Sequence, residues 1–478
     1  TTKFQDAKVA AYQTYYYRVA TEARTKDVGP AGLPIELVVA GAFNRAPIEL
    51  STVTIGNIFS ANYKWYLKNP VGSARITNNV NVPFQNVKLS FRLKEFMDYG
   101  YDQEIKQLEP NQFIDIPLIA TLNNKILEVT EDTPVQAEFE LTYFEEGKPR
   151  SVSVTKPLRV YSRNAIAWDE PRRIANFITP KDTPILEYGR EVLREPAKGA
   201  KAESLNTAVV AAMRLWHALA ESGLRFQSNP NSPYETISED PNFPVDWTQF
   251  PRETLRRKSG QCSDLTTLML SLLEGAKVRG KILDYPGHMA LMFDTETDDV
   301  SLAGLTEDEL VLHEGTYWVP LETTMVGKSF VEAVRKAAHS YRAESEKGKV
   351  TVLGIREAWA NFESATMPKS DWAPEIPAAA AREKRFADES AELFEARYKF
   401  LKKLFEAKLK EDPKDIDSRI ELGLLEFQAG KKDDAVAQFN KALADEPGNS
   451  SALNNLGAIL RVRGDAARSR DLFLRALG

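Results

Sequence analysis

A single cysteine stands among 478 residues, at position 262. One thiol cannot form an internal disulfide, so cysteine usage does not separate an oxidising compartment from a reducing one. Histidine is nearly as scarce, with four in the chain, at positions 217, 288, 313 and 339. None of them falls in an HExxH, CxxC or HxH spacing, so a transition-metal site is not expected. No apolar run reaches the roughly 18 residues that would read as a membrane-spanning helix. The first 25 residues are too polar for a signal peptide, and a start at Thr1 rather than Met fits a processed or truncated precursor. An excess of positive charge is missing too: 68 acidic against 62 basic residues leave a net −6, which gives no field to draw nucleic acid or anionic lipid. No Walker loop and no GxGxxG is present, so nucleotide chemistry has no support and no cofactor is expected.

What is there is the composition of a folded soluble chain, 43% hydrophobic, 27% charged and 10% aromatic. Because cores stop growing beyond about 250 to 300 residues, a chain of this length reads as several domains. Residues 1–30 begin with "TTKFQDAKVAAYQTYYYRVATEART", whose apolar spacings of three and four predict an N-terminal amphipathic helix. From about Leu33 the period changes to two. Val87, Leu89, Phe91 and Leu93 share one face, and Val135, Ala137, Phe139, Leu141 and Tyr143 share another, as half-buried antiparallel strands do. Further strands are expected at 52–67 and 113–122, with Asn, Pro and Gly turns between, so residues 31–165 read as a β-sandwich. The segments "NNVNVPFQNVKLSF" and "LEPNQFIDIPLIA" resemble the Ig-like modules that precede catalytic domains in secreted bacterial proteins.

Prolines at 171, 180 and 184 mark residues 166–185 as a linker, and prolines at 368, 374 and 377 mark 366–380 as a second one. Residues 381–478 are helical in pattern and repeat at one offset. Gly423 recurs as Gly457, Gly430 as Gly464, Leu422 as Leu456, Phe439 as Phe473, Ala442 as Ala476 and Pro413 as Pro447, a spacing of 34 residues in each pair. This resembles the tetratricopeptide repeat and implies helical hairpins that dock a protein partner. Two repeats and a helical lead-in around Phe405 fall short of the three or so units that stand alone, so the array must lean on another part of the molecule or on a partner.

The segment 186–365 holds the chemistry. In "GQCSDLTTLMLSLLEGAKVRG", Leu265, Leu268, Met269, Leu272 and Leu273 form a helical stripe, which puts Cys262 at the helix N-terminus, where unpaired amides and the macrodipole favour a thiolate. "GHMALMFDT" alternates as a strand with His288, Ala290 and Met292 on one face, and "TYWVPLETT" puts Trp318, Pro320 and Glu322 on one face. If those strands pair in a sheet packed on the cysteine helix, His288 can face the sulfur and Glu322 the far side of the imidazole. Each residue also has a plainer reading. Free cysteine is commonly core filler, a lone histidine is commonly structural, and a lone glutamate commonly lies at the surface.

The three motifs "GQCSDLTTLMLSLL", "PGHMALMF" and "YWVPLETT" together resemble the transglutaminase-like superfamily, with its papain-like α+β core, over roughly 186–365. The resemblance implies a cysteine enzyme acting on amide bonds of a protein or peptide substrate, as a peptidase, amidase or acyl transferase. Cys262 would be the nucleophile, His288 the base and Glu322 the orienting group, where the family usually has Asp. The Cys262 amide is the default oxyanion donor, with Gln261, Gln249 or Trp247 as candidates for the second. The glutamine that papain-type enzymes keep six residues before the cysteine is here Arg256. The alternative is a family member that has lost activity and serves as an interaction scaffold. A β-sandwich ahead of such a core implies an envelope or extracellular setting.

His217 reads as a core or capping residue, and His313 and His339 flank charged stretches. "DTETDDVSLAGLTEDE" lacks EF-hand spacing and is expected to be a solvated hairpin loop. The expected class is therefore multidomain: a β-sandwich, then an α+β papain-like, transglutaminase-like core, then tetratricopeptide-type hairpins.

Overall fold

The computed structural model describes residues 14–20, 35–38, 46–195, 205–228 and 245–477. The chain divides into two compact units, Thr1–Ala165 and Ile166–Gly478.

The first unit is β-rich. Strand β1 (Thr14–Tyr17) pairs antiparallel with β2 (Ile35–Val38), Thr14 opposite Val38 and Tyr17 opposite Ile35. This corrects the helix expected over 1–30 at residues 14–17; the rest of that span lies outside the described residues. Thr and three consecutive Tyr residues are strand formers, and here their preference outweighs the three-and-four spacing around them.

The remaining strands of this unit are β3 (Ile48–Ile55), β4 (Ile58–Phe59), β5 (Gly72–Asn78), β6 (Phe84–Leu93), β7 (Tyr101–Leu108), β8 (Phe113–Leu118), β9 (Thr133–Glu145) and β10 (Lys148–Tyr161). They form a five-stranded sheet in the order β4-β10-β9-β6-β7 and a three-stranded sheet in the order β3-β5-β8. Period-two alternation buries Leu89 and Phe91 of β6 with Phe139 and Leu141 of β9, and Phe91 lies directly opposite Phe139 with ring centroids 5.2 Å apart. The strand expected over 52–67 ends at Phe59, beyond which two 3₁₀ turns bury Ala61 and Tyr66.

The second unit begins where a linker was expected. Residues 171–177 form a 3₁₀ turn, and Ile174, Ala175, Phe177 and Ile178 are buried, with Phe177 stacked on Phe250 at 4.8 Å. The prolines of this stretch punctuate it without keeping it from the core.

Helices α1 (Thr183–Leu193), α2 (Thr207–Glu221), α3 (Pro251–Arg257), α4 (Cys262–Gly275) and α5 (Phe330–Ser345) follow, and a short helical turn at Ile355–Ala358 comes later. A two-stranded parallel pair, β11 (Arg225–Phe226) with β12 (Ser259–Gly260), leads into α4. A five-stranded antiparallel sheet runs in the order β15-β16-β14-β13-β17, from β13 (Gly280–Tyr285), β14 (His288–Asp294), β15 (Val311–His313), β16 (Thr316–Leu321) and β17 (Thr351–Gly354). Helix α4 packs on β13 and β14 and is covered by α1, α2 and α3, so every residue from Cys262 to Glu274 is buried. Its polar members are tied within that core, Thr266 to Thr323 at 2.9 Å and Ser271 to the Thr179 amide at 2.9 Å.

The acidic loop between β14 and β15 is only partly solvated. Asp294 and Glu309 are buried against Arg279 and Arg335, and Ala303 and Leu305 join the core.

Residues 366–378 carry no regular element, and the repeats follow as α6 (Ala379–Glu411), α7 (Ile416–Gln428), α8 (Lys432–Asp445), α9 (Ser450–Val462) and α10 (Ala466–Ala476). The repeated residues have one physical cause. A Cβ on Gly423 would lie 2.7 Å from the Phe439 ring, and one on Gly457 would lie 3.0 Å from the Phe473 ring. Each hairpin therefore closes by laying a phenylalanine on a glycine, and Gly430 and Gly464 turn the chain between the two helices with φ of 78° and 86°.

The array leans on the rest of its own unit. The first half of α6 packs on α2, where Glu383 pairs with Arg214 at 2.9 Å and Glu389 with the buried His217 at 2.8 Å. The second half packs Phe394, Tyr398, Leu401 and Phe405 against Leu422 and Leu425 of α7.

Candidate active site

Cys262 is the first residue of α4 and 7% exposed. Two local features start the helix there. Gln261 is extended, with φ −80° and ψ −177°, and Asp264 accepts the Gln261 N–H at 3.0 Å, as a residue in the third helical position does in a capping box. The first amides of a helix lack intrahelical acceptors, and the Cys262 N–H is one of them.

His288 opens β14, and Glu322 directly follows β16, which pairs with β14 antiparallel. His288 Nε2 meets Glu322 Oε2 at 2.7 Å. The Cys262 side chain lies close enough to the imidazole to raise its pKa. With Nε2 held by the carboxylate, Nδ1 is the ring nitrogen left for the sulfur. The other oxygen of Glu322 accepts the Thr324 N–H at 3.1 Å and the Thr324 hydroxyl at 2.6 Å, so the orienting carboxylate is itself fixed at both oxygens.

Burial alone would lower the His288 pKa. The interactions with Cys262 and Glu322 outweigh that effect and push it up to about 10. Burial acts on Glu322 in the opposite sense, and the bond to His288 outweighs it, holding the carboxyl below its usual range. Both neighbours therefore favour the charged form of the ring.

The proposed oxyanion donors are placed otherwise than the sequence allows one to read. Gln249 Nε2 donates to Asp264 Oδ2 at 2.9 Å and to the Ser259 carbonyl at 3.1 Å. Gln261 Nε2 donates to the Trp247 carbonyl at 3.1 Å and to the Ser263 hydroxyl at 3.2 Å. Both amides are committed to fixing the loop around the cysteine. The Trp247 ring carries the Arg257 guanidinium 5.1 Å from its centroid, and Arg256 is exposed in the last turn of α3.

Two residues at the site carry no sequence signal of their own. Tyr285 lies opposite His288 across the β13–β14 hairpin and stacks on the imidazole, with centroids 6.1 Å apart and 13° between planes. Asp264 is buried beside the cysteine and receives hydrogen bonds from both glutamines. The "YPGH" turn could have pointed to Tyr285, because a two-residue turn sets its flanking residues opposite each other.

The other histidines lie apart from this cluster. His217 pairs with Glu389, His313 lies 3.0 Å from Lys281 Nζ, and His339 is exposed. Among the described residues no group of three His, Cys, Asp or Glu side chains is placed to hold a metal ion, and no described helix is long and apolar enough to cross a membrane.

The tetratricopeptide repeat family model matches residues 420–478, so the helices from α7 onward carry that repeat. No curated protein matches the chain. Among solved structures, a mutant of Salmonella alpha-2-macroglobulin is similar at 11% identity over 95% of this chain and 24% of that one, with a TM-score of 0.17. The chain spans about a quarter of the length of that structure.

Proposed function

We propose that residues 186–365 form a transglutaminase-like cysteine enzyme that acts on amide bonds of peptides or proteins, as a peptidase, amidase or acyl transferase. The observation that supports it most is His288, bonded to Glu322 at 2.7 Å with its pKa raised by the cysteine at the helix start as well. In this reading the Cys262 thiolate attacks the carbonyl carbon and forms a thioester. The His288 imidazolium gives its proton to the leaving amine, and water or a second amine then releases the acyl group. Glu322 keeps Nε2 occupied and stabilises the imidazolium. The Cys262 amide is the oxyanion donor that the helix start offers.

The same reading makes the core papain-like, treats the N-terminal sheets as an Ig-like β-sandwich, and gives the repeats the role of docking a protein partner or substrate. Trapping tests it. The chain is mixed with a panel of peptide amides, quenched in acid and weighed intact by mass spectrometry. An acyl adduct on Cys262 that is absent in Cys262→Ala supports the enzyme. Release of amine with the same rate in both chains, or no turnover with any amide alongside an unreactive thiol, favours the inert scaffold.

A further inference from the structure

We propose that Asp264 is the positioning residue of the nucleophile: its carboxylate ties the loop at Gln249 to the start of α4 and so fixes the backbone that presents Cys262. The proposal rests on the reading of Cys262 as the nucleophile.

A carboxylate in the third position of a helix ordinarily caps one amide at the surface. Asp264 is 2% exposed and takes three donors. Its Oδ1 accepts the Gln249 N–H at 2.7 Å, and its Oδ2 accepts Gln249 Nε2 at 2.9 Å and the Gln261 N–H at 3.0 Å. No described ion pair includes it, so its charge is held by neutral donors alone, an arrangement that burial makes costly. Burial pushes its pKa up to about 6 against the pull of those three bonds, and the neighbouring Asp246 adds to the rise.

What that cost achieves is a double tie around the cysteine. Gln249 reaches forward to Asp264, while Gln261 reaches back to the Trp247 carbonyl. Cys262 lies between the two anchored residues, Gln261 and Asp264, and neither side of its backbone can turn alone. The chain closes tightly over the carboxylate as well, since a Cβ on Gly260 would fall 2.6 Å from the Asp264 Cβ. A shift of about 1 Å in a reacting group can cost on the order of 100-fold in rate, which is the scale of benefit such a brace provides.

The test uses the full chain, Asp264→Asn and Gln249→Met. Gln249→Met keeps the Asp264 charge and the side-chain volume and removes only the amide. Two quantities are read: the NMR titration of the His288 ring, which reports whether the sulfur still sits on it, and the rate of Cys262 alkylation by iodoacetamide at pH 7. The expected result is that both variants lower the His288 pKa, by about one unit in Asp264→Asn, and slow alkylation by about 10-fold. If Asp264→Asn fails to fold, Gln249→Met alone decides. Folded variants with the parent titration and the parent rate would overturn the proposal, and a lower melting temperature alone would make Asp264 structural only. A parent His288 that titrates near its ordinary value of about 6.5 would instead remove the nucleophile reading on which the proposal rests.

Discussion

Glu322 carries one methylene more than the aspartate that the resemblance implies, and the site is built around that length. Its two oxygens are divided between His288 at 2.7 Å and Thr324 at 3.1 and 2.6 Å, so a shorter side chain cannot reach both. Glu322→Asp is therefore expected to weaken the site rather than restore a family norm. Under the proposed function, Glu322→Gln is expected to reduce turnover of an amide substrate by about 100-fold or more, since it removes the charge that would stabilise the imidazolium. Steady-state rates on a substrate found by acyl trapping check both. The His288 proton also links to stability. Its folded pKa of about 10 lies above the unfolded value of about 6.5, so the stabilisation is complete below pH 6.5 and is lost as pH rises toward 10. Urea midpoints should fall across that window in the parent and stay flatter in His288→Ala. Cys262, His288 and Glu322 were legible because a helix start and two alternating strands place them by pattern alone. Asp264 was not, because its partner Gln249 lies 15 residues upstream on a loop with no period. Gln249 and Gln261 read as oxyanion donors for the same reason: sequence does not tell which way an amide points.

Among the elements, the repeats were the most legible, and their glycines give the sharpest prediction. Gly423→Ala sets a methyl 2.7 Å from the Phe439 ring, and Gly457→Ala sets one 3.0 Å from Phe473. Overpacking of this kind costs about 1–3 kcal/mol, and the tighter contact makes Gly423→Ala the more costly of the two. Denaturant unfolding followed by circular dichroism orders them, and an equal or reversed order would contradict the packing. The elements misread were those where two rules compete. The three-and-four spacing over 1–30 gave way at Thr14–Tyr17 to aromatic strand preference, and proline punctuation over 166–185 concealed Phe177 stacked on Phe250. Tertiary burial decided the second, and burial is not written in any short window.

In the second unit as a whole, α6 is the bridge between the repeats and the α+β core. Its anchor is the buried Glu389, which accepts the Val331 N–H at 2.9 Å and the Ser329 hydroxyl and lies 2.8 Å from the His217 ring. Those partners hold the Glu389 pKa below its usual range against burial. The anchor is therefore complete above the ordinary glutamate range and weakens as pH falls below it. Glu389→Ala leaves a buried imidazole and hydroxyl unpaired and should cost about 3–5 kcal/mol, read as a lower urea midpoint and faster proteolysis at 366–380. An isolated 381–478 fragment should unfold without a sharp transition, because two hairpins and a lead helix deprived of its partners on α2 bury too little surface by themselves. A cooperative fragment as stable as the full chain would show that the bridge is dispensable.

The proposed function requires a charged pair between Cys262 and His288 in the folded chain. The most direct measurement is the rate of Cys262 alkylation by iodoacetamide from about pH 4 to 10, in the parent and in His288→Ala. A rate that reaches its plateau below pH 7 and loses that plateau in the variant is the predicted result. A rate that rises only above about pH 8.5, as for an ordinary thiol, and is the same in both chains would contradict it.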